Sequence, residues 1–199
     1  IMKKITTLLF GLLCVLSFAQ GTETFDNLEL TGTSYQDGNF TGQNGITWNY
    51  LKSRGDFEVN NSGQAIMLGR NQTPDAELAS GTIENGIGVV SFDYSQAYST
   101  DVSLDVYVND TFVTTVTSND EKGDDKNSGN ITVDVSGDFT LKFSNENGGQ
   151  VVIDNITWTG FSGTGTPSLS VGSDVTGLSY FEGNFDATTA EGAFTVQGL

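Results

Sequence analysis

The chain of 199 residues contains no histidine and one cysteine. That cysteine, Cys14, lies in an apolar run near the N-terminus. These absences exclude disulfide staples, thiolate nucleophiles, His-based triads and zinc sites with nitrogen or sulfur ligands. Positive charge is nearly as scarce: 8 Lys and Arg stand against 25 Asp and Glu, net −17. Such a field repels nucleic-acid phosphates and anionic membranes at long range, so neither is an expected partner. No segment sustains helical periodicity over three turns. The Gly-rich stretch GTGTP, 163–167, lacks the lysine and the helix of a phosphate cradle.

The first residues carry an address. Lys3 and Lys4 form a short positive region, and 5–18 is mostly apolar but short of the ~18 to 20 residues of a membrane span. Ser17-Phe18-Ala19 before Gln20 reads as a cleavage site, so 1–19 is expected to be a secretory signal peptide. Leu13 precedes Cys14 where a lipoprotein signal needs a small residue, so no lipid anchor is expected. The expected location is the medium or the cell surface, without membrane insertion after cleavage. Losing Lys3 and Lys4 leaves 6 basic against 25 acidic side chains, net −19.

From 20 to 161 the pattern is short β runs punctuated by Gly, Asn, Asp and Ser. Val102, Leu104, Val106 and Val108 alternate with Ser103, Asp105 and Tyr107, the period of a half-buried strand. Asn109-Asp110 then separates this run from β-branched 111–117, which signals a tight hairpin. The runs 131–135 and 139–143 predict a second hairpin around Ser136-Gly137-Asp138. Further strands are expected at 46–50, 65–68 and 89–94. The polar stretch 119–130 reads as a long exposed hairpin loop. Together these predict an all-β fold, an antiparallel β-sandwich of jelly-roll type over 20–161. A linker follows at 162–167. Leu169, Val171, Phe194 and Val196 resume β alternation in 168–199, a span too short to bury a core alone. The last residues, FTVQGL, read as mid-strand, so the chain is expected to be the N-terminal part of a longer protein.

Two groups of residues can carry chemistry. Glu23, on an early strand at 22–30, and Asp154, in the closing strand at 150–160, can meet if the first and last strands are neighbours. With backbone carbonyls and Asp26 or Asn27, they would supply the six to eight oxygens of a structural calcium site. Otherwise both are ordinary strand-end carboxylates facing water. The second group is basic and aromatic: Lys52, Arg54, Arg70 and Tyr98. Guanidiniums beside aromatics at strand ends suit a carboxylate or sulfate on a sugar, bound bidentate and stacked. Alternatively each arginine pairs with a local acid such as Asp56, Glu58 or Asp75. The loop acids Asp120, Glu121, Asp124 and Asp125 lack EF-hand spacing. Two carboxylates can run glycoside hydrolysis, but no spacing singles out a pair among 25 acids.

The strings ETFDNLELTGTSYQDGNFTG, GITWNY, SRGDFEV, AIMLGRNQTP, SGTIENGIGVVSFDY, DVYVND, GDFTLKF and VVIDNITWTG give 22–160 its family likeness. This span resembles the N-terminal, carbohydrate-binding-module-like jelly-roll domain of flavobacterial-type secreted multidomain proteins. PSLSVGS…GLSYFEGN…FTVQGL resembles the start of the Ig-like domain that often follows it. The resemblance implies a non-catalytic accessory module, often exported by type IX secretion, with any catalytic domain beyond residue 199. It supplies no ligand. The expected function is polysaccharide binding, of an acidic or sulfated polymer in particular, that targets a larger extracellular protein. The alternatives are a calcium-stabilised adhesion or spacer domain, and the accessory part of a secreted nuclease or polysaccharide-degrading enzyme.

Overall fold

The computed structural model describes residues 20–119 and 121–162. The expected signal peptide, nearly all of the linker and the Ig-like segment lie outside the described residues. The described part is all-β, with twelve strands: β1 (Gly21–Glu23), β2 (Gln36–Thr41), β3 (Thr47–Phe57), β4 (Ala65–Leu68), β5 (Ala76–Ser80), β6 (Ile87–Gln96), β7 (Ser103–Val108), β8 (Thr111–Thr117), β9 (Asp125–Asn127), β10 (Ile131–Val135), β11 (Leu141–Asn145) and β12 (Val151–Trp158). Every pairing is antiparallel.

The strands follow the path β10-β6-β12-β4-β3-β5-β11-β7-β8, a curled sheet of jelly-roll type. β3 belongs to both halves of the curl. Its first part, Trp48 to Leu51, pairs with β5, and Ser53 to Phe57 pairs with β4. Between them Lys52 adopts a left-handed conformation, φ 49°, and turns the corner. One half-sheet holds β2, β5, β11, β7 and β8; the other holds β4, β12, β6, β10, β9 and β1. Their inner faces enclose the main core, including Trp48, Phe92, Phe139, Phe143, Leu104, Ile66 and Ile153. Burying apolar area at about 25 cal/mol per Å² makes this the main stabilising contribution in a domain without disulfides.

The β7–β8 hairpin forms as expected. Asn109 and Asp110 take φ 50° and 57°, the primed-turn geometry that suits strand twist. The first and last strands are neighbours, with Glu23 opposite Ile156. The second expected hairpin does not form. β10 pairs with β6, whereas β11 lies between β5 and β7. The turn at Ser136-Gly137-Asp138 therefore crosses between the half-sheets. β11 is buried at four of five positions, and two partner strands suit it better than one. The 119–130 stretch is not all loop either: Asp125–Asn127 lines the edge of β6. From 24 to 30 the chain leaves β1 and forms no further strand, and Phe25, Leu28 and Leu30 drop into the core.

Candidate functional site

On the outer face of the β4/β12 half, a second, smaller cluster is formed by Val59, Ala65, Met67, Ala97 and Val152. Three partly buried rings roof it: Tyr35, Phe57 and Tyr98. Phe57 and Tyr98 meet edge to face, with centroids 6.1 Å apart. Arg54 lies among them. Its guanidinium carbon stands 5.2 Å from the Phe57 ring centroid, and its Nη1 donates to the Tyr98 hydroxyl at 3.4 Å. Asp56 grips the other edge of the fork, accepting from Nε at 2.9 Å and from Nη2 at 2.5 Å. The expectation of a local acid and that of an aromatic neighbour thus both hold for Arg54. Asp56 is the main reason that the guanidinium pKa is raised further. A bidentate, stacked arginine is a stiff one, so the platform is preorganised.

A second cationic group borders the same rings. Lys122 Nζ lies 5.3 Å from the Tyr98 centroid. Arg70 Nη1 donates to Thr100 Oγ1 at 2.6 Å, and among the described residues it has no carboxylate partner. Arg70 follows Gly69, whose missing Cβ leaves room for the Tyr35 ring; a Cβ there would stand 2.8 Å from Tyr35 Cε1. Asn145 fixes this rim by donating from Nδ2 to the carbonyls of Gly69 and Gly149, both at 2.9 Å. Gln150 donates to the Tyr35 hydroxyl at 3.4 Å, while its Oε1 is buried without a hydrogen-bond partner. Lys52 stands apart. Its Nζ pairs with Asp37 at 2.9 Å and its backbone N–H donates to the same carboxylate, which lowers the Asp37 pKa. Beside the platform lies a shallow, open depression of about 470 Å³, lined by Gly55, Asp56, Phe57, Glu58, Gly63 and Gln64.

Glu23 and Asp154 are both buried, and the two have separate surroundings. Glu23 shares the core face with Phe25 and Trp48. It accepts N–H bonds from Phe25 at 2.9 Å and Gln43 at 3.2 Å. The Trp48 indole N–H faces it without full hydrogen-bond geometry. Burial pushes the Glu23 pKa up, against these donors. Asp154 accepts from the Ser62 hydroxyl at 2.5 Å and the Asn155 N–H at 2.7 Å. Burial, opposed by these donors and reinforced by Asp26 and Asp93, raises its pKa to about 6. The reason for the separation lies in β12. Val151 and Ile153 face the main core and Val152 faces the outer cluster; after a register shift, Ile156 and Trp158 face the core. The shift falls at Asp154 and Asn155, the latter at φ 47°. It leaves Asp154 on the outer face, whereas Glu23, opposite Ile156, is on the inner one. As a shared pair they do not fit a calcium ion. Among the described residues no group of three or more acidic, His or Cys side chains is placed to hold a metal.

No family model and no curated protein matches this chain. Solved structures overlay it at low identity. One is the first CBM36 domain of a multidomain xylanase from the hindgut metagenome of Trinervitermes trinervoides, at 12% identity and TM-score 0.43, covering 72% of this chain and 98% of that one. A carbohydrate-binding module CBM36 in complex with calcium and xylotriose overlays at 12% identity and TM-score 0.41, covering 70% and 98%. The K3 adhesin domain of Lys-gingipain from Porphyromonas gingivalis overlays at 14% identity and TM-score 0.42, covering 72% and 99%. At these values the neighbours carry no argument about what this chain binds.

Of the residues singled out in the sequence, the structure brings Arg54 and Tyr98 into contact, puts Arg70 at their rim and ties Lys52 to the corner of β3. Sequence reasoning missed Tyr35, Phe57, Lys122 and Gln150 as members of the face. Phe57 follows Arg54 by three residues in SRGDFEV, the one local signal that was available. The others arrive from segments far apart in sequence.

Proposed function

We propose that the chain is a non-catalytic module of an exported protein and that the Tyr35, Arg54, Phe57 and Tyr98 face binds a polysaccharide carrying carboxylate or sulfate groups. One observation supports this reading above the rest. In a chain of net −17, Arg54 and Lys122 lie against the rings of one aromatic platform, and Arg70 follows Gly69, against which Tyr35 packs. A ring face covers the apolar face of a sugar, and a guanidinium or ammonium beside it meets the sugar's anionic substituent. A non-catalytic role fits the two acids of raised pKa, Glu23 and Asp154, which are enclosed by their own hydrogen-bond donors. Export rests on the leader-like residues 1–19.

Affinity gel electrophoresis tests the reading. Alginate and chondroitin sulfate in the gel should retard the protein. Tyr98→Ala and Arg54→Ala should each weaken retardation about tenfold, the effect of losing roughly 1.4 kcal/mol. Mobility unchanged by any anionic polymer would overturn it.

A further inference from the structure

The outer face of the opposite half-sheet carries a second feature, visible only through the strand register. Phe112 on β8 pairs with Tyr107 on β7, Tyr107 with Lys142 on β11, Lys142 with Ala79 on β5, and Ala79 with Asn49 on β3. Asn49 in turn pairs with Asn39 on β2. The residues flanking these in each strand, such as Val106, Val108, Leu141, Leu78 and Trp48, point into the main core. The six therefore form one outward row at right angles to the strands. At about 4.8 Å per strand its length is about 24 Å. The order of chemistry is two rings, an ammonium, a methyl group and two amides.

The ring end is built. The Tyr107 and Phe112 centroids are 5.8 Å apart, edge to face, and Lys142 Nζ lies 4.7 Å from the Tyr107 centroid. Lys142 is also paired with Asp110 at 2.8 Å, so its charge is balanced. Phe112 is 54% exposed, the one large hydrophobic side chain so exposed among the described residues. Ala79 makes a low point in the middle of the row. The adjoining outward row runs Thr115, Asp105, Ser144, Glu77 and Leu51. In it Ser144 is 1% exposed, and its Oγ has no hydrogen-bond partner. At that exposure the Ser144 hydroxyl is out of reach of a surface ligand, so the exposed members of the first row carry the recognition. The negative charges of Glu146, Asp105 and Glu77 all reach Tyr107.

We propose that this row is a second glycan-binding surface, and that it takes a neutral, linear polysaccharide lying across the strands. The exposed Phe112 ring, held by Tyr107, stacks on the sugar, the amides of Asn49 and Asn39 meet its hydroxyls, and the acidic surround excludes anionic polymers. It lies on the face opposite the Arg54 platform and differs from it in the sign of its charge. A module with both would join two kinds of polymer.

The test is titration calorimetry of the full chain with xylohexaose, cellohexaose and laminarihexaose, with alginate as the anionic probe. Phe112→Ala and Tyr107→Ala are the variants. Phe112 is exposed, so its replacement leaves the core intact, and a melting curve verifies this. The expected result is binding of at least one neutral hexamer, weakened about tenfold in either variant and unchanged in Tyr98→Ala, with alginate binding unchanged in Phe112→Ala. No binding of any neutral hexamer overturns the inference. So does neutral binding that survives both variants and fails in Tyr98→Ala. A concentration-dependent dimer that Phe112→Ala dissociates would make this face a self-association surface and overturn it as well. Loss of alginate binding alone would count against the Arg54 platform and leave this row standing.

Discussion

Asp154 is fully buried, yet its two hydrogen bonds do not offset the desolvation of its charge, and its pKa rises to about 6. The folded chain therefore holds a proton that the unfolded chain releases near the ordinary value of 3.8. Between those two pH values the native state binds more protons, so its stability falls as pH rises through the window. Urea denaturation at about pH 4, 5, 6 and 7 should show that decline, and Asp154→Asn should flatten it and raise stability near pH 7. An unchanged slope in the variant would remove Asp154 as the cause. Repeating the series with calcium asks a separate question: a cation held at Asp154 would keep it ionised and flatten the wild-type slope too. Gly42 is a second residue with a defined role. A Cβ there would stand 1.8 Å from Glu23 Oε2 and dislodge the carboxylate from its N–H donors. Gly42→Ala should cost about 1–3 kcal/mol of stability in the same assay.

At the scale of elements, two local departures from regular strand geometry decide what shares a face. The first is the corner of β3. Lys52 sits at φ 49°, where a β-branched side chain is strained. Lys52→Val should lower stability by about 1–2 kcal/mol, while Lys52→Gly should lose little beyond the exposed ion pair with Asp37. Equal thermal midpoints for the two variants would show that the corner is not conformationally constrained. The second is the register shift in β12, which moves Asp154 off the face that holds Glu23. Alternation through VVIDNITW without a bulge would put Asp154 on the same side as Val152 and Ile156, and Ile156 is the residue opposite Glu23, so the two acids would share a face. A bulge has no sequence signature strong enough to locate it.

For the whole molecule, the dominant fact is a net charge of −17 with few cations. Self-repulsion weakens the compact state, so raising ionic strength from about 0.01 M to 0.15 M should raise the melting temperature as the Debye length shortens from about 30 to 8 Å. Binding should respond differently on the two faces. Retardation by alginate should weaken as salt rises, because it rests on charge, while binding of a neutral hexamer should hold steady. A neutral-hexamer affinity that falls as steeply as that for alginate would mean that both ligands use one charged site.

The β class and the antiparallel hairpin of 102–117 followed from residues close in sequence, where alternation and turn chemistry act locally. The adjacency of the first and last strands came from the jelly-roll expectation. Arg54 and Tyr98 were legible as a guanidinium and a ring, and Arg54's partner Asp56 is two residues away, but Arg54, expected at a strand end, lies within β3 opposite Met67. Their contact, and the arrival of Tyr35, Lys122 and Gln150, depend on which strands pair. So does the row from Phe112 to Asn39, whose members are spread over six strands. Strand order is set by burial of the whole core, as β11 shows by leaving its expected hairpin partner for a place between β5 and β7. Sequence alone thus determined the β class and the scarce chemistry available to it. The tertiary structure decided which of those groups meet, because register and bulges are global solutions to burying two faces of one curled sheet.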